Sequence, residues 1–273
     1  MKTWFITGTS KGFGRIWAEA ALRRGDTVVA TARDVKTLAP LAKEFGDRAV
    51  CLPLDVADKR AVDAIVKQAH ERVGKFDVVI NNAGYGLFGM IEEISEAEAR
   101  NQMETNFFGA LWVTQAVLPI LRAQKRGHIL QVSSIGGVQA FPSIGLYNAS
   151  KWALEAFSQS LAGEVKDFGI HVTLIEPTGY PTDWSGPSSM RATPIAEYSG
   201  VRDQIAKYFA ARRERGQAKS EATAPVVLKL VDMQEPPLRV FFGDGPLDMI
   251  KAEYKSRIET WDRFANLSHE ANG

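Results

Sequence analysis

The chain has 273 residues, 45% of them hydrophobic, and a formal net charge of +1. That length and apolar content suffice for one large core, and the near-neutral charge gives no electrostatic basis for binding nucleic acid or an anionic membrane. A single cysteine, Cys51, excludes an intramolecular disulfide, and no apolar run approaches the length of a membrane span.

In chain order, short β-like runs alternate with helical stretches. Residues 3–7 read as a first strand, and Gly8-Thr9-Ser10-Lys11-Gly12-Phe13-Gly14 follows before a helical stretch over 15–24. A strand, a glycine-rich turn and a helix start form a phosphate site, because glycine lets the backbone approach closely and a helix N-terminus favours an anion. Further strands are expected at 27–31, 49–52, 78–81, 128–132, 171–175 and 238–242. Cys51 falls in the third of these, as a strand thiol in an apolar run. One long helix is expected over 97–123, where Met103, Phe107, Leu111, Val113 and Val117 recur near helical spacing, and another over 148–168. The alternation predicts an α/β fold: a single Rossmann-type domain over 1–273 with a seven-stranded parallel, doubly wound sheet.

Residues 183–220 break the pattern with Gly, Pro and Ser before a helical run over 195–215. The alternating charges of Arg212-Arg213-Glu214-Arg215 suit a solvated helix face. A helix over 221–233 precedes the last strand, and a C-terminal helical extension is expected over 246–267. That tail either closes over a site or forms a subunit contact. A first strand beginning at residue 3 leaves no room for a leader, so a cytoplasmic protein is expected.

Chemistry is concentrated at Tyr147-Asn148-Ala149-Ser150-Lys151, with Ser134 thirteen residues before the Tyr. A Tyr and a Lys four apart stand on one helix face. A neighbouring ammonium favours the phenolate of a Tyr whose free pKa is about 10. Such a trio can move a proton at a carbonyl or an alcohol.

Together these segments resemble the short-chain dehydrogenase/reductase family over nearly the whole chain. The family's TGxxxGxG is Thr7 to Gly14, its NNAG is Asn81-Asn82-Ala83-Gly84, its helix asparagine is Asn106, its serine Ser134, and its YxxxK Tyr147 and Lys151. The resemblance implies direct hydride transfer between a nicotinamide cofactor and the substrate carbon. Tyr147 is then the acid and Ser134 the hydrogen bond to the reacting oxygen. Lys151 tunes Tyr147 and holds the nicotinamide ribose, and Asn106 holds a water in a proton relay. Two alternatives stand beside these roles: Ser133 as a rival donor, and Asn106 as the cap of a local kink. Cofactor contacts are implied at Gly8, Ser10, Lys11, Gly12, Phe13, Gly14, Asn82, Ala83, Gly84 and Pro177, and at Asp55 and Val56 beside the adenine. Thr182 would bind the carboxamide. No metal site is expected.

Arg33 follows Ala32, where relatives that prefer NAD carry an Asp, and Lys11 is the family's other basic position. Both imply NADP(H), because a cation pairs with a ribose 2′-phosphate; Asp34 could instead neutralise Arg33. Where the family reads PGxxxT, this chain has Pro177-Thr178-Gly179-Tyr180-Pro181-Thr182. Either the turn shifts by one residue or the glycine is not required. Phe141, Pro142, Tyr180, Trp184 and Met190 would border an apolar pocket for a small ketone, aldehyde or alcohol. In the family, 183–220 corresponds to a mobile lid, and the two long helices commonly build a homo-oligomer, with dimer, tetramer and monomer all open here. The branch resembled holds hydroxysteroid dehydrogenases, retinol dehydrogenases and carbonyl reductases. A carbonyl reductase, reversible as a secondary-alcohol dehydrogenase, is the leading expectation. The alternatives are a non-catalytic NADP(H) sensor and an epimerase or lyase on the same scaffold. Sensors tend to lose the Tyr or Lys, and epimerases usually carry GxxGxxG and a larger C-terminal domain.

Overall fold

The computed structural model describes residues 1–180, 184, 186, 188–214, 218–243 and 245–272, and of these the side chains of 208, 209 and 211–214 are left aside. Seven strands form one parallel sheet: β1 (Thr3–Ile6), β2 (Thr27–Ala32), β3 (Ala49–Pro53), β4 (Val78–Asn81), β6 (Gly127–Val132), β7 (Ile170–Pro177) and β9 (Arg239–Phe242). Their order is β3-β2-β1-β4-β6-β7-β9. Both faces are covered, which is why the central strands read as continuous apolar runs. Trp4, Ile6, Val28 and Ala30 enter one core, while Phe5, Val29, Val79 and Ile129 enter the other. All seven expected strands are present within two residues of their expected ends.

The chain reverses direction across the sheet between β1 and β4, which pair directly. A parallel sheet leaves a crevice at the carboxyl ends of its strands at such a point. The glycine turn after β1, the Asn82-Ala83-Gly84 segment after β4 and Ser133-Ser134 after β6 all lie at those ends.

Helix α1 (Gly12–Arg23) follows the glycine turn, and α2 (Ala39–Phe45) and α3 (Lys59–Val73) follow β2 and β3. The helix expected over 97–123 is a composite: α4 (Glu96–Met103), a π-helical segment Glu104–Phe108, and α5 (Gly109–Gln124). Ser95 and Glu98 start it with a reciprocal capping box. The interruption falls on Thr105 and Asn106, which are weak helix formers. Asn106 turns its amide onto the backbone of Tyr85 there, and a one-residue π-bulge accommodates that demand. Helix α6 (Gly145–Val165) carries Tyr147 and Lys151, and Gly169 (φ 68°) ends the short turn that follows it.

A two-residue pair not read from the sequence, β5 (Leu87–Phe88) with β8 (Met190–Arg191), ties the segment after β4 to the 183–220 region. Helix α7 (Ser199–Glu214) is clasped to the Ile91–Glu93 turn. One Glu93 oxygen accepts from the Ile195 amide (2.9 Å) and from Arg202, and the other accepts from the Met90 amide (2.7 Å). Helix α8 (Thr223–Asp232) packs on α1, where Trp17 Nε1 donates to Thr223 Oγ1 (2.8 Å). The C-terminal extension is two helices, α9 (Pro246–Arg263) and α10 (Ala265–Glu270), divided at Phe264. Among the described residues no helix is long and apolar enough to cross a membrane.

Candidate active site

The turn after β1 is held by β4. Thr7 Oγ1 accepts from the amides of Asn82 and Ala83 (3.0 Å each), and Asn82 Nδ2 donates to the carbonyls of Thr7 (2.9 Å) and Gly8 (3.0 Å). Gly8 adopts φ +69°, and a Cβ there would meet Ala83 Cα at 2.9 Å. At Gly14 a Cβ would fall 2.5 Å from both Asn82 Nδ2 and the Gly8 oxygen. These glycines are therefore required by close backbone approach as well as by conformation. Helix α1 has no side-chain cap and no acidic residue in its first turn. Its first N–H groups face the open space that surrounds Gly12, where a Cβ would meet nothing. A positive helix end with no side-chain cap beside closely packed glycines fits a pyrophosphate.

Arg33, exposed at the carboxyl end of β2, is the nearest candidate for a ribose phosphate. Asp34 does not neutralise it. The Asp34 carboxylate accepts from the Lys36 amide (3.0 Å) and starts the turn Val35–Leu38. Asp55 is exposed after β3, one oxygen accepting from the Ala57 amide (3.1 Å), and Val56 is buried beneath α5 against Gly109. Ser10 is half-buried in the glycine turn, and Phe13 stacks on Trp17 at 5.1 Å and meets Tyr180 edge-on. Pro177 closes β7. Thr178 does not have a positive φ, and its hydroxyl donates to the Phe242 carbonyl (3.2 Å). Thr178 therefore sits there without the left-handed backbone that would call for glycine. Thr182 lies outside the described residues.

The four catalytic candidates converge on the carboxyl ends of β4 and β6. Ser134 Oγ stands beside the Tyr147 ring and accepts from the Gly136 amide (3.0 Å). A Cβ on Gly136 would stand 3.3 Å from the Tyr147 ring and 3.4 Å from Ser134 Oγ. Lys151 Nζ donates to the Val132 carbonyl (2.7 Å) and lies 5.8 Å from the Tyr147 ring centre. A Cβ on Gly84 would be 3.1 Å from Asn106 Oδ1 and 3.8 Å from Lys151 Nζ, so Gly84 keeps this corner open. Asn106 is saturated by protein: Oδ1 accepts from the Tyr85 amide (3.0 Å), and Nδ2 donates to the Tyr85 carbonyl (3.0 Å) and to Ser150 Oγ (3.2 Å). Its side chain caps the kink that the π-bulge creates.

Electrostatics differ from the sequence expectation. Burial pushes the Tyr147 phenol up to about 12, against the opposing hydrogen bond of Ser134. Burial also pulls the Lys151 ammonium down to about 8, against the charge of Glu155. Burial thus holds Tyr147 as the neutral acid in the free protein. Ser133 points elsewhere: its hydroxyl faces Glu155.

Sequence reasoning missed Thr7 as the anchor of the turn and Ser150 as the partner of Asn106. It also missed the buried Glu155 and Glu176 and the exposed Arg239 that pairs with them behind Lys151. Thr7 stood inside the quoted motif, but nothing in sequence brings Glu176 and Arg239 to α6. Trp184, assigned to the pocket wall, lies over Tyr147 with ring centres 4.8 Å apart and also touches Phe88. An open cavity of about 940 Å³ beside it includes Met90, Phe141, Pro142, Ala149 and Trp152 in its lining. Neither Tyr147 nor Ser134 lines that cavity, because the Trp184 ring covers the phenol. Met190 sits in β8 and is exposed, and Tyr180 packs on Phe13.

Residues 2–191 match the family described as short chain dehydrogenase. The chain belongs to that family. It is an NAD(P)-dependent oxidoreductase. It is 45% identical to the oxidoreductase BOA17 of Botryotinia fuckeliana over 251 residues, 90% of each chain. It is 35% identical to retinol dehydrogenase 8 of Bos taurus over 254 residues, covering 87% of this dehydrogenase and 80% of that one. A short-chain dehydrogenase from Streptomyces avermitilis superposes with a TM-score of 0.90 at 32% identity, over 99% of this chain and all of that one.

Proposed function

We propose that this dehydrogenase is an NADP(H)-preferring carbonyl reductase of small apolar ketones or aldehydes, reversible as a secondary-alcohol dehydrogenase. The observation that carries the reading is the buried Tyr147 phenol beside Ser134, with the Lys151 ammonium 5.8 Å from its ring centre. A phenol held protonated is in the state that a reduction requires. The bound cofactor supplies a hydride to the carbonyl carbon. Ser134 holds the carbonyl oxygen, and Tyr147 delivers its proton to that oxygen, so that ketone, hydride and proton sum to the alcohol. Lys151 replenishes Tyr147 and positions the ribose, and Asn106 holds the corner through which a water-borne relay passes.

NADP preference rests on Arg33 at the carboxyl end of β2 and Lys11 at the start of α1, with the Asp34 carboxylate engaged by the Lys36 amide. An apolar substrate is supported by the Phe88 and Trp184 rings against Tyr147, by Phe141 and Pro142 on the neighbouring cavity, and by the name of the 35% identical retinol dehydrogenase. The 183–220 region is the substrate lid and 246–267 the C-terminal extension of the one domain. A homo-oligomer forms through α5 and α6, where Phe107, Phe108, Trp112 and Phe157 make a half-buried aromatic cluster. The protein is cytoplasmic.

The test is consumption of NADPH, with NADH in parallel, against a panel of aryl and long-chain ketones and aldehydes. Turnover selective for NADPH is expected, and Tyr147→Phe retains NADPH binding while losing nearly all of it. Full turnover in Tyr147→Phe refutes the assigned acid.

A further inference from the structure

Behind Lys151 lies a group of charges that the reaction above does not use. Glu155 stands one turn further along α6, Glu176 is the penultimate residue of β7, and Arg239 opens β9. The Glu155 and Glu176 side chains are 8% and 2% exposed. Arg239 Nε hydrogen-bonds Glu155 Oε2 at 3.0 Å and lies 3.6 Å from Glu176 Oε1, and its Nη2 donates to Gln159 (2.8 Å). One guanidinium nitrogen therefore lies against two buried carboxyl groups, 3.0 Å from one and 3.6 Å from the other.

The remaining oxygens are unsatisfied. Glu155 Oε1 and Glu176 Oε1 are buried without a donor, and the Ser133 hydroxyl faces Glu155 without a formed hydrogen bond. Two ionised carboxylates side by side, each with an oxygen that lacks a donor, are costly where they are buried; one proton between them removes a charge and supplies a missing donor. Burial and the Glu155 charge push Glu176 up to about 8, and burial raises Glu155 too.

The pair is in contact with the machinery above it. A Cβ on Gly137 would meet Ser133 Oγ at 2.7 Å, Glu155 Cγ at 3.1 Å and Lys151 Cβ at 3.3 Å, so the turn after β6 packs all three into one layer. Glu155 is the one acid acting on the Lys151 ammonium among the described residues, and it opposes the burial that would neutralise it. On the other side the pair lines an open cavity of about 500 Å³ between α6, β9 and α9, through which a proton can exchange with solvent. From α9, Tyr254 faces this cavity, and Arg257 lies over the rings of Trp152 and Tyr254 while paired with Glu253 at 2.9 Å.

We propose that Glu155 and Glu176 share one proton in the resting protein, and that the negative charge left on Glu155 keeps the buried Lys151 protonated beneath Tyr147. Glu155 is thus a positioning residue acting through Lys151, and Glu176 holds the proton that leaves the group with a single negative charge. The inference rests on the reading of Lys151 as part of the reaction, but its test does not use turnover.

Two measurements on the whole chain decide it. Infrared spectroscopy at neutral pH is expected to show the carbonyl stretch of one protonated carboxylic acid, abolished in Glu176→Gln. NMR titration of 13C-labelled lysine is expected to place Lys151 about one pH unit or more lower in Glu155→Gln than in wild type. It should be nearly unmoved in Glu176→Gln, where the amide imitates the protonated acid. Absence of the acid band in the wild type, or the same Lys151 midpoint in Glu155→Gln and wild type, overturns the proposal. If Glu155→Gln does not fold, Glu155→Asp withdraws the charge by one methylene and is read in its place, with an unmoved midpoint again overturning. If the ketone panel gives no turnover while these shifts appear, the reductase reading fails and the charge assignment stands.

Discussion

Replacing Asn82 with Ala removes two hydrogen bonds, at 2.9 Å and 3.0 Å, that tie the glycine turn to β4. The bond to Gly8 is worth about 1 kcal/mol net, while losing the bond to the buried Thr7 carbonyl costs about 1–3 kcal/mol where water cannot enter. The expected destabilisation is about 2–4 kcal/mol, a large share of the roughly 5–15 kcal/mol of a typical domain. Urea unfolding reads it as a lower midpoint at unchanged slope. Cofactor affinity should fall in parallel, because the released Gly8 carbonyl no longer fixes the cradle in front of α1. Asn82→Asp is the sharper control. It is nearly isosteric, yet at neutral pH its carboxylate cannot donate and faces the same two carbonyls, so it should destabilise at least as much as Ala. Asp within about 0.5 kcal/mol of wild type would show that the amide does not donate to these oxygens and would sink the anchoring role.

Arg33→Ala should weaken NADPH by roughly ten- to a hundredfold, the worth of a charge-assisted phosphate contact, and leave NADH nearly unchanged in a fluorescence titration; equal weakening of both refutes the phosphate contact. His128 is buried with Nε2 2.9 Å from Thr173 Oγ1, and since that hydroxyl donates to Pro237, the ring donates to it. Burial, with smaller contributions from His171 and Lys2, lowers its pKa from 6.5 to about 3. The unfolded chain therefore takes up a proton that the folded one does not. This contribution is complete above pH 6.5 and is lost as pH falls from there toward 3, by about 1.4 kcal/mol per pH unit. His128→Gln keeps a donor without a titratable charge and should flatten that slope in unfolding measured from pH 7 to 5; an unchanged slope refutes the assignment. Glu93→Ala should release the clasp on α7, read as faster hydrogen exchange at the Ile195 amide with protection in β1 and β4 unchanged. Equal exchange in the two proteins would mean that Glu93 does not hold the segment.

What the sequence determined by itself was local. The seven strands were legible because a strand buried on both faces must be apolar along its whole length, as Trp4-Phe5-Ile6 and Val28-Val29-Ala30 are. The glycine turn and the YxxxK pair were legible because turn conformation and helical spacing are fixed within a few residues. Three-dimensional packing decided the rest. The long helix carries a π-bulge because Asn106 meets the Tyr85 backbone 21 residues away in sequence. Thr178 is tolerated because its hydroxyl finds Phe242, on a strand 64 residues later. The protonation of Tyr147 could not be read from its Lys at the fourth position, since the burial that raises the phenol is set by elements throughout the chain. Glu155, Glu176 and Arg239 meet only because β7 and β9 pair beside α6. A sequence carries the spacing of charges along one helix, but the desolvation that sets their strength comes from everything packed around them.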